Sequence, residues 1–429
     1  MRYLADLHLH SRYARATSKD LTLPLLDEWG RKKGIQVLAT GDFTHPFWFG
    51  EIKQQLTSAP EAGLYILKDA DPKQTTRFIL SVEISSIYSQ GGKNRRIHTL
   101  VLLPTLEAAE GFNQRLASYG NLRSDGRPIL GISAKSVAQI ALKAHPQAII
   151  IPAHAWTPWY AVFGSMSGFD SLEECFEEVT PAILAIETGL SSDPSMNWQL
   201  SRLDKVALIS SSDAHSASKI GREATEFEGE MSFAAMREAL RSGAPQQAAL
   251  RQHSPARLLG TIEFFPEEGK YHYDGHRNCQ ISLHPSQRIR QGNKCSKCGR
   301  NFTIGVLSRV VELSDRNQGT KPNGAPDYQA LVPLVEIIAE AQGSGVATKQ
   351  VQDYYQRLLE QFGNEMAVLR QADVTAVAKV TTPLVAEGIK RMRAGKLKID
   401  PGYDGQFGTV RIFSEAERLT EAEQQASLF

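Results

Sequence analysis

The chain has almost no net charge: 48 lysines and arginines stand against 47 aspartates and glutamates, a formal +1 at pH 7. No global field announces a nucleic-acid partner, so any surface for one must be local. No apolar run reaches the roughly 18 residues of a membrane span, and no membrane partner is expected. The amino terminus lacks a basic leader followed by a long apolar core, which predicts a cytoplasmic, nucleoid-associated protein rather than a secreted one. Internal repeats are absent. Cysteine is scarce, with only Cys175, Cys279, Cys295 and Cys298. Three of them fall between 279 and 298, a clustering that suits metal binding rather than a disulfide framework.

What the chain does have is histidine at the ends of apolar runs. It opens Tyr3-Leu4-Ala5-Asp6-Leu7-His8-Leu9-His10, a strand ending in His-x-His. Side chains two apart on a strand share a face, so His8 and His10 can grip one ion. Asp42 ends the run over 35–41, with His45 just beyond; Glu83 lies in the run over 78–83 and His98 in that over 97–101. His154 ends the run over 148–153, and Asp213-x-His215 follows that over 206–212. Imidazole and carboxylate together suit divalent ions, and two or three of Zn2+, Mn2+, Fe2+ or Mg2+ are expected. Several such ions suit hydrolysis at phosphorus, with Asp213, His215 and Glu83 as candidate catalytic residues.

Strands and helices alternate over 1–260. Helices are expected over 21–33, 47–56, 105–118, 133–144, 171–178, 194–203 and 232–241, with strands between them. This βα order implies a parallel sheet, and seven or so strands suggest a (β/α)7-like barrel. The candidate ligands fall mostly at C-terminal strand ends, where such barrels place their sites. His98 departs from the rule, since it lies near the start of its strand. The texture changes over 261–316, where a small zinc-binding domain is expected. A loop over 317–326 leads to a helical domain over 327–413, with helices at 328–341, 348–362, 365–370 and 373–394, the last kinked or split at Pro383. A polar tail fills 414–429.

His276-x-x-Cys279 precedes Cys295-x-x-Cys298-Gly299 by fifteen residues. Each half is a tight knuckle that offers two ligands to one structural Zn2+. His272 and His284 are rival fourth ligands; His276 is preferred because His-x-x-Cys mirrors Cys-x-x-Cys. Around the knuckle, Arg288, Arg290, Lys294, Lys297 and Arg300 form an acid-free basic stretch, and Lys390, Arg391, Arg393, Lys396 and Lys398 form another. Two such runs on a chain with a hydrolytic site suggest a polyanionic substrate. Tyr403 and Phe407 on a glycine-rich loop can stack on bases or wedge a duplex, or fill a small core.

His8-x-His10, Asp42 with His45, Glu83, His98, His154 and Asp213-x-His215 resemble the PHP (polymerase and histidinol phosphatase) family of metal-dependent phosphoesterases over roughly the first half of the chain. That family often carries a further ligand soon after His-x-His. Here residues 11–20 hold no histidine, so Asp20 or Asp42 would have to complete a three-ion site, and Arg12, Arg15 and Lys19 become candidates for binding phosphate. The stretches LHLHSRYARATSKDLTL, SSDAHSA, KYHYDGHRNC, CSKCGRNFTIGVLSRVVELSDR and PGYDGQFG extend the resemblance to the endonuclease Q family. It implies a metal-dependent enzyme that nicks double-stranded DNA 5′ to deaminated bases (uracil, hypoxanthine, xanthine) and abasic sites. A small-molecule phosphatase of the histidinol-phosphate type explains the barrel but leaves the knuckle and basic runs idle. An amidohydrolase barrel also starts with His-x-His but fits Asp213-x-His215 less well. A non-catalytic DNA-binding PHP protein would have no reason to keep so many buried charges. Finally, Gln425-Ala426-Ser427-Leu428-Phe429 resembles the Gln-x-x-Leu-Phe pentapeptide by which bacterial DNA-processing proteins dock on the sliding clamp. Gln425, Leu428 and Phe429 are its candidate contacts.

Overall fold

Short apolar runs bounded by turn residues form the strands of a ring. In the computed structural model, which describes residues 1–414 and 417, β1 (Arg2–Asp6) pairs in parallel with β2 (Val37–Ala39), and β2 with β3 (Arg77–Gln90). The chain then doubles back. β4 (Lys93–Leu103) runs antiparallel to β3 from Leu80↔Leu103 to Gln90↔Lys93. Gly91 and Gly92 make the connection at φ 61° and 72°, a conformation that glycine adopts without steric cost. β5 (Ile149–Pro152) is antiparallel to β4 and meets the following segment through a parallel Ile150↔Ile183 bridge. β6 (Ala185–Glu187) and β7 (Ala207–Ile209) pair in parallel. β8 (Ala224–Gly229) lies antiparallel on β1, and β9 (Ala256–Glu263) antiparallel on β8. Ser210 N donates to Thr225 Oγ1 (3.1 Å), and that hydroxyl donates back to Ser210 O (2.8 Å), tying the end of β7 to β8.

The all-parallel expectation thus fails at β4 and β8. A two-residue turn can only join antiparallel strands, since a parallel connection needs a crossover of a dozen residues or so. The reversal accounts for His98: because β4 runs backwards, its start lies at the end of the ring where its neighbours finish.

Helices pack around the ring close to their expected bounds, and their caps explain why. Thr105, Ser133, Ser171 and Ser232 each accept a hydrogen bond from the third helical amide, filling one of the donors that a helix start leaves open. The helix expected over 194–203 stops at Asn197, whose side chain turns inward to accept from Trp156 Nε1 (2.8 Å). Residues 328–330 are not helical as expected. They belong to β10 (Asp327–Ala330), which adds in parallel to β9, and the helix Leu334–Ala341 begins only after Pro333. Pro383 splits the last helix into Val374–Val380 and Pro383–Arg393. Two helices within 261–316, Pro285–Gln291 and Val306–Leu313, have no counterpart in the sequence reading. No helix among the described residues is long and apolar enough to cross a membrane.

Two buried charge arrangements shape this body. Lys33 Nζ meets Glu365 Oε2 at 2.6 Å, and Tyr355 Oη donates to the same oxygen at 2.7 Å, fastening a barrel helix to the carboxy-terminal helices. Under the ring's upper end, Glu223 and Glu263 are fully buried. Phe264 N donates to Glu223 Oε1, and the Thr188 and Ser210 hydroxyls donate to Glu263 Oε2. Burial raises both carboxyls, and Glu223 is pushed up to about 8. A carboxyl raised on folding favours the fold fully below its unfolded value, and that contribution fades as pH climbs through the folded value. Glu223→Gln removes the titration, so its Tm relative to the unsubstituted protein should rise between pH 5 and pH 9. Thermal melts at both ends of that range check it: a constant difference means that Glu223 is already ionised in the fold.

Candidate metal centre and its pocket

Three strand ends deliver ligand-type residues with the backbone in the left-handed region: Asp42 at φ 50°, His154 at 30° and Asp213 at 46°. Such conformations cost energy in L residues and cluster at functional sites. Here each one turns the chain sharply just past β2, β5 and β7.

Two groups result, His8–His10–Asp213 and Glu83–His98–His154. Glu83 joins them. Its Oε1 lies 2.6 Å from His98 Nδ1 and 3.0 Å from His154 Nε2, and its Oε2 lies 3.6 Å from His8 Nε2 and 3.4 Å from His10 Nε2. Asp213 Oδ1 is 3.1 Å from His10 Nε2 and 3.7 Å from His8 Nε2. His8 Nε2, His10 Nε2 and Asp213 Oδ1 are buried and make no hydrogen bond, yet they converge. Buried polar atoms seldom go without a partner, and imidazole nitrogen with carboxylate oxygen is a donor set for a divalent cation. The residues therefore fit the ions that the sequence implies.

The atoms behind the rings support this fit. Glu187 holds His8 Nδ1 at 3.0 and 3.1 Å, and Asp42 holds His10 Nδ1 at 3.1 Å. A carboxylate on Nδ1 fixes the tautomer that leaves Nε2 free to ligate. Burial opposes protonation of both rings, but Glu187, Glu83 and Asp213 around His8, and chiefly Asp42 around His10, outweigh it and raise both histidines well above the ordinary range. Burial also works against the Asp213 carboxylate, yet His8 and His10 hold it below its ordinary value. His98 is pushed down to about 4, chiefly by burial.

Not every expected ligand joins these groups. Asp42 is occupied by His10 and by the Ser11 amide and hydroxyl, at 2.6 and 2.7 Å, so it orients a ligand instead of facing the cluster. His45 turns away, donating from Nε2 to Arg123 O (3.2 Å) and stacking on Tyr13. His215 stands at the rim with its ring 4.6 Å from that of His10 and Nδ1 2.9 Å from Asp213 O. Two residues were missed. Glu187 ends β6 and could have been found by the same strand-end rule that found the others. Arg127, whose guanidinium sits 3.0 Å from Glu83 Oε2, comes from a loop that gives no local signal.

Beside the His98 and His154 side of the cluster opens a cavity of about 320 Å³. Trp159, Tyr160, Tyr271 and His272 contribute to its lining, together with His98, His154 and Asp213 themselves. The Trp159 and Tyr271 rings meet edge to face at 5.6 Å.

His276, Cys279, Cys295 and Cys298 come together as a third group that could hold an ion, each offering one atom within 4.8 Å of the rest. Of the rival ligands, His284 instead caps the Pro285–Gln291 helix, and His272 is buried beside the cavity. Gly299, at φ 74°, closes the second knuckle by donating to Cys295 O (2.8 Å).

Several expected DNA contacts are committed elsewhere. Arg288 is turned inward onto buried Asp274 (2.7 Å). Arg393 donates to the Leu369 and Val368 carbonyls at the end of the Glu365–Arg370 helix, and Arg391 pairs with Glu387 at 3.1 Å. Tyr403 packs against Gly275 of the knuckle, where a Cβ would collide with its ring. Arg15, Lys19, Arg290, Lys294 and Lys390 are exposed, and Arg12 is partly exposed while paired with Glu51 at 2.7 Å. Phe407 is 67% exposed, with Lys270 Nζ 4.5 Å over its ring. The pentapeptide over 425–429 lies outside the described residues.

A family model described as the MJ0043 C-terminal domain matches residues 333–396, and one described as PHP-associated matches 199–245. The chain is 32% identical to the uncharacterized protein MJ0043 of Methanocaldococcus jannaschii over 265 residues, covering 60% of this chain and only 31% of that one. The chain therefore spans about a third of that relative's length. The crystal structure of PfuEndoQ, a lesion-specific endonuclease from Pyrococcus furiosus, superposes with a TM-score of 0.82 at 30% identity, covering 98% of this chain and 99% of that one. Endonuclease Q in complex with a 27-mer duplex carrying an abasic lesion at its active site gives 0.81 at 31% identity, covering 97% and 98%. At that identity and with nearly complete coverage in both directions, the chain belongs to the endonuclease Q family.

Proposed function

We propose that this protein is a metal-dependent DNA repair endonuclease that nicks the phosphodiester 5′ to deaminated bases (uracil, hypoxanthine, xanthine) and abasic sites. The observation that carries this reading is the shared wall: His98, His154 and Asp213 belong both to the cation-ready cluster and to the aromatic cavity. A base turned into that cavity leaves its own 5′ phosphate at the cluster. Flipping costs least for a damaged or poorly paired base, which biases entry toward lesions. Trp159, Tyr160 and Tyr271 offer faces for stacking, and the volume suits a planar ligand of base size.

Divalent ions bound there lower the pKa of water toward neutrality and offset the charge that develops on the phosphate. The chain's residues do the rest. Asp42 and Glu187 keep His10 and His8 aimed inward. Arg127 places a guanidinium beside Glu83, where a phosphate oxygen can share it. His215, lowered by burial below its ordinary value, is neutral at pH 7, and its exposed edge can take or return a proton. In this reading the regions over 261–316 and 327–413 grip the duplex through exposed Arg290, Lys294 and Lys390, while exposed Phe407, with Lys270 over its ring, wedges between bases. Such an enzyme works in the cytoplasm on nucleoid DNA.

Asp213→Ala removes a ligand but no basic surface. Nicking of a uracil-containing duplex should fall by at least about a hundredfold while the Kd for the duplex changes by less than about threefold. Wild-type nicking by this variant in metal-replete buffer contradicts the assignment.

The knuckle's occupant is proposed to be a structural Zn2+, since three cysteines and one histidine leave no open position for chemistry. Cys295→Ser with Cys298→Ser should release one zinc per chain and expose 270–315 to proteolysis. Unchanged zinc content by metal analysis refutes the site.

The carboxy-terminal pentapeptide is proposed to dock on a sliding clamp through Leu428 and Phe429, with Gln425 setting the register. A peptide of residues 415–429 should bind a bacterial clamp with a Kd on the order of micromolar, as for short segments ordered on binding. The Leu428→Ala, Phe429→Ala peptide should not. Equal binding of both peptides rejects docking and leaves the nuclease reading intact.

A further inference from the structure

The aromatic cavity opens beside His98 and His154. Where Asp42 backs His10, the chain builds a second and different surface. Phe47, in the first turn of the Pro46–Gln55 helix, is 55% exposed. It is not a stray side chain, because its neighbours hold it. Its ring lies 5.7 Å from that of His45 and 6.3 Å from that of Tyr13, and Tyr13 stacks on His45 at 4.4 Å with an interplanar angle of 20°. Arg123 sets its guanidinium carbon 4.8 Å from the Phe47 ring, and Arg12 sets its own 5.4 Å from the Tyr13 ring.

This shelf is wired to the cluster by one short loop. Arg123 O accepts from His45 Nε2 (3.2 Å). Asp125 Oδ1 accepts from the Arg15 amide (3.1 Å). Gly126 lies so close behind Asp42 that a Cβ there would meet Oδ2 at 2.4 Å. Arg127 reaches Glu83. The segment 123–127 thus fixes the aromatic shelf and the reacting end of the site in one frame.

An exposed aromatic face beside a guanidinium is the chemistry by which proteins hold unpaired or frayed nucleotides, the ring stacking on a base and the cation facing the phosphate backbone. We propose that Phe47, clamped by Arg123, is the stacking platform for the nucleotide on the 5′ side of the scissile phosphate. This rests on the nuclease reading above. With the lesion base in the cavity by His98 and His154, the strand crosses the cluster and its 5′ neighbour emerges on the Asp42 side, over Phe47. Phe47 is then a positioning residue: it holds the departing nucleotide in place and sets a preference for what that nucleotide is. Purines present a larger face than pyrimidines, so the platform favours a purine at that position.

The test is steady-state nicking of four uracil-containing duplexes that differ only in the base 5′ to uracil. The unsubstituted protein is compared with Phe47→Ala, Phe47→Leu and Phe47→Trp. Loss of one base–aromatic stack corresponds to a rise in KM of about tenfold for Phe47→Ala, with kcat changed by less than about threefold. Phe47→Leu, which keeps apolar bulk but has no π-face, should behave like Phe47→Ala, and Phe47→Trp should keep KM low. The purine preference of the unsubstituted protein should vanish in the alanine and leucine variants. An unchanged KM in Phe47→Ala, or a neighbour preference that survives it, overturns the platform while nicking by the unsubstituted protein upholds the nuclease reading. Absence of nicking by the unsubstituted, metal-loaded protein overturns both.

Discussion

The Glu83 carboxylate is the hinge of the molecule's chemistry. It is buried, and within 3.6 Å of its two oxygens lie four imidazoles and one guanidinium. A buried carboxylate so placed survives only because opposite charge and ligand-type nitrogen surround it on every side. Burial pushes against its ionised form, yet His98, Arg127 and His8 hold it well below the ordinary carboxylate range. That one constraint explains why β3 and β4 must be a tight hairpin, why the segment that follows β1 must carry both His8 and His10, and why the loop bearing Arg127 must fold back over the ring.

Much of this was legible in the sequence, and the illegible parts have physical causes. Strand-end histidines and carboxylates reveal themselves because a strand's period places them on one face, so His8, His10, Glu83, His154 and Asp213 could be read directly. His98 could be read but not explained, since strand direction depends on the Gly91-Gly92 turn and not on the strand's own residues. Whether a carboxylate faces a cation or the back of a histidine is decided by three-dimensional backbone placement, which sequence position alone does not give. Asp42 shows this: its sequence position is that of a ligand, and its actual neighbours are Ser11 and His10. β8 and β10 went unread because Glu226 and Glu228 in one, and Asp327 and Gln329 in the other, mask any apolar run.

The basic residues teach a related lesson. A run of arginines looks alike in sequence whether it faces a polyanion or props up a fold. Arg288, Arg391 and Arg393 are used internally, on Asp274, on Glu387 and on helix-end carbonyls. Guanidinium donors in a fixed fork suit such carbonyl and carboxylate sites, whereas lysine ammonium groups stay hydrated. The exposed cations left over are therefore fewer than the runs suggest, and they are spread over several elements.

The doubling back of β4 also has a kinetic side. Glu83, His98 and His154 lie close along the chain, two of them on a single hairpin, whereas His8 and His10 must wait for Asp213 from the far end of the ring. Contacts between near residues form early, and those that close a long loop form late. During synthesis from the amino terminus, one half of the centre can be in place while the other still lacks its aspartate.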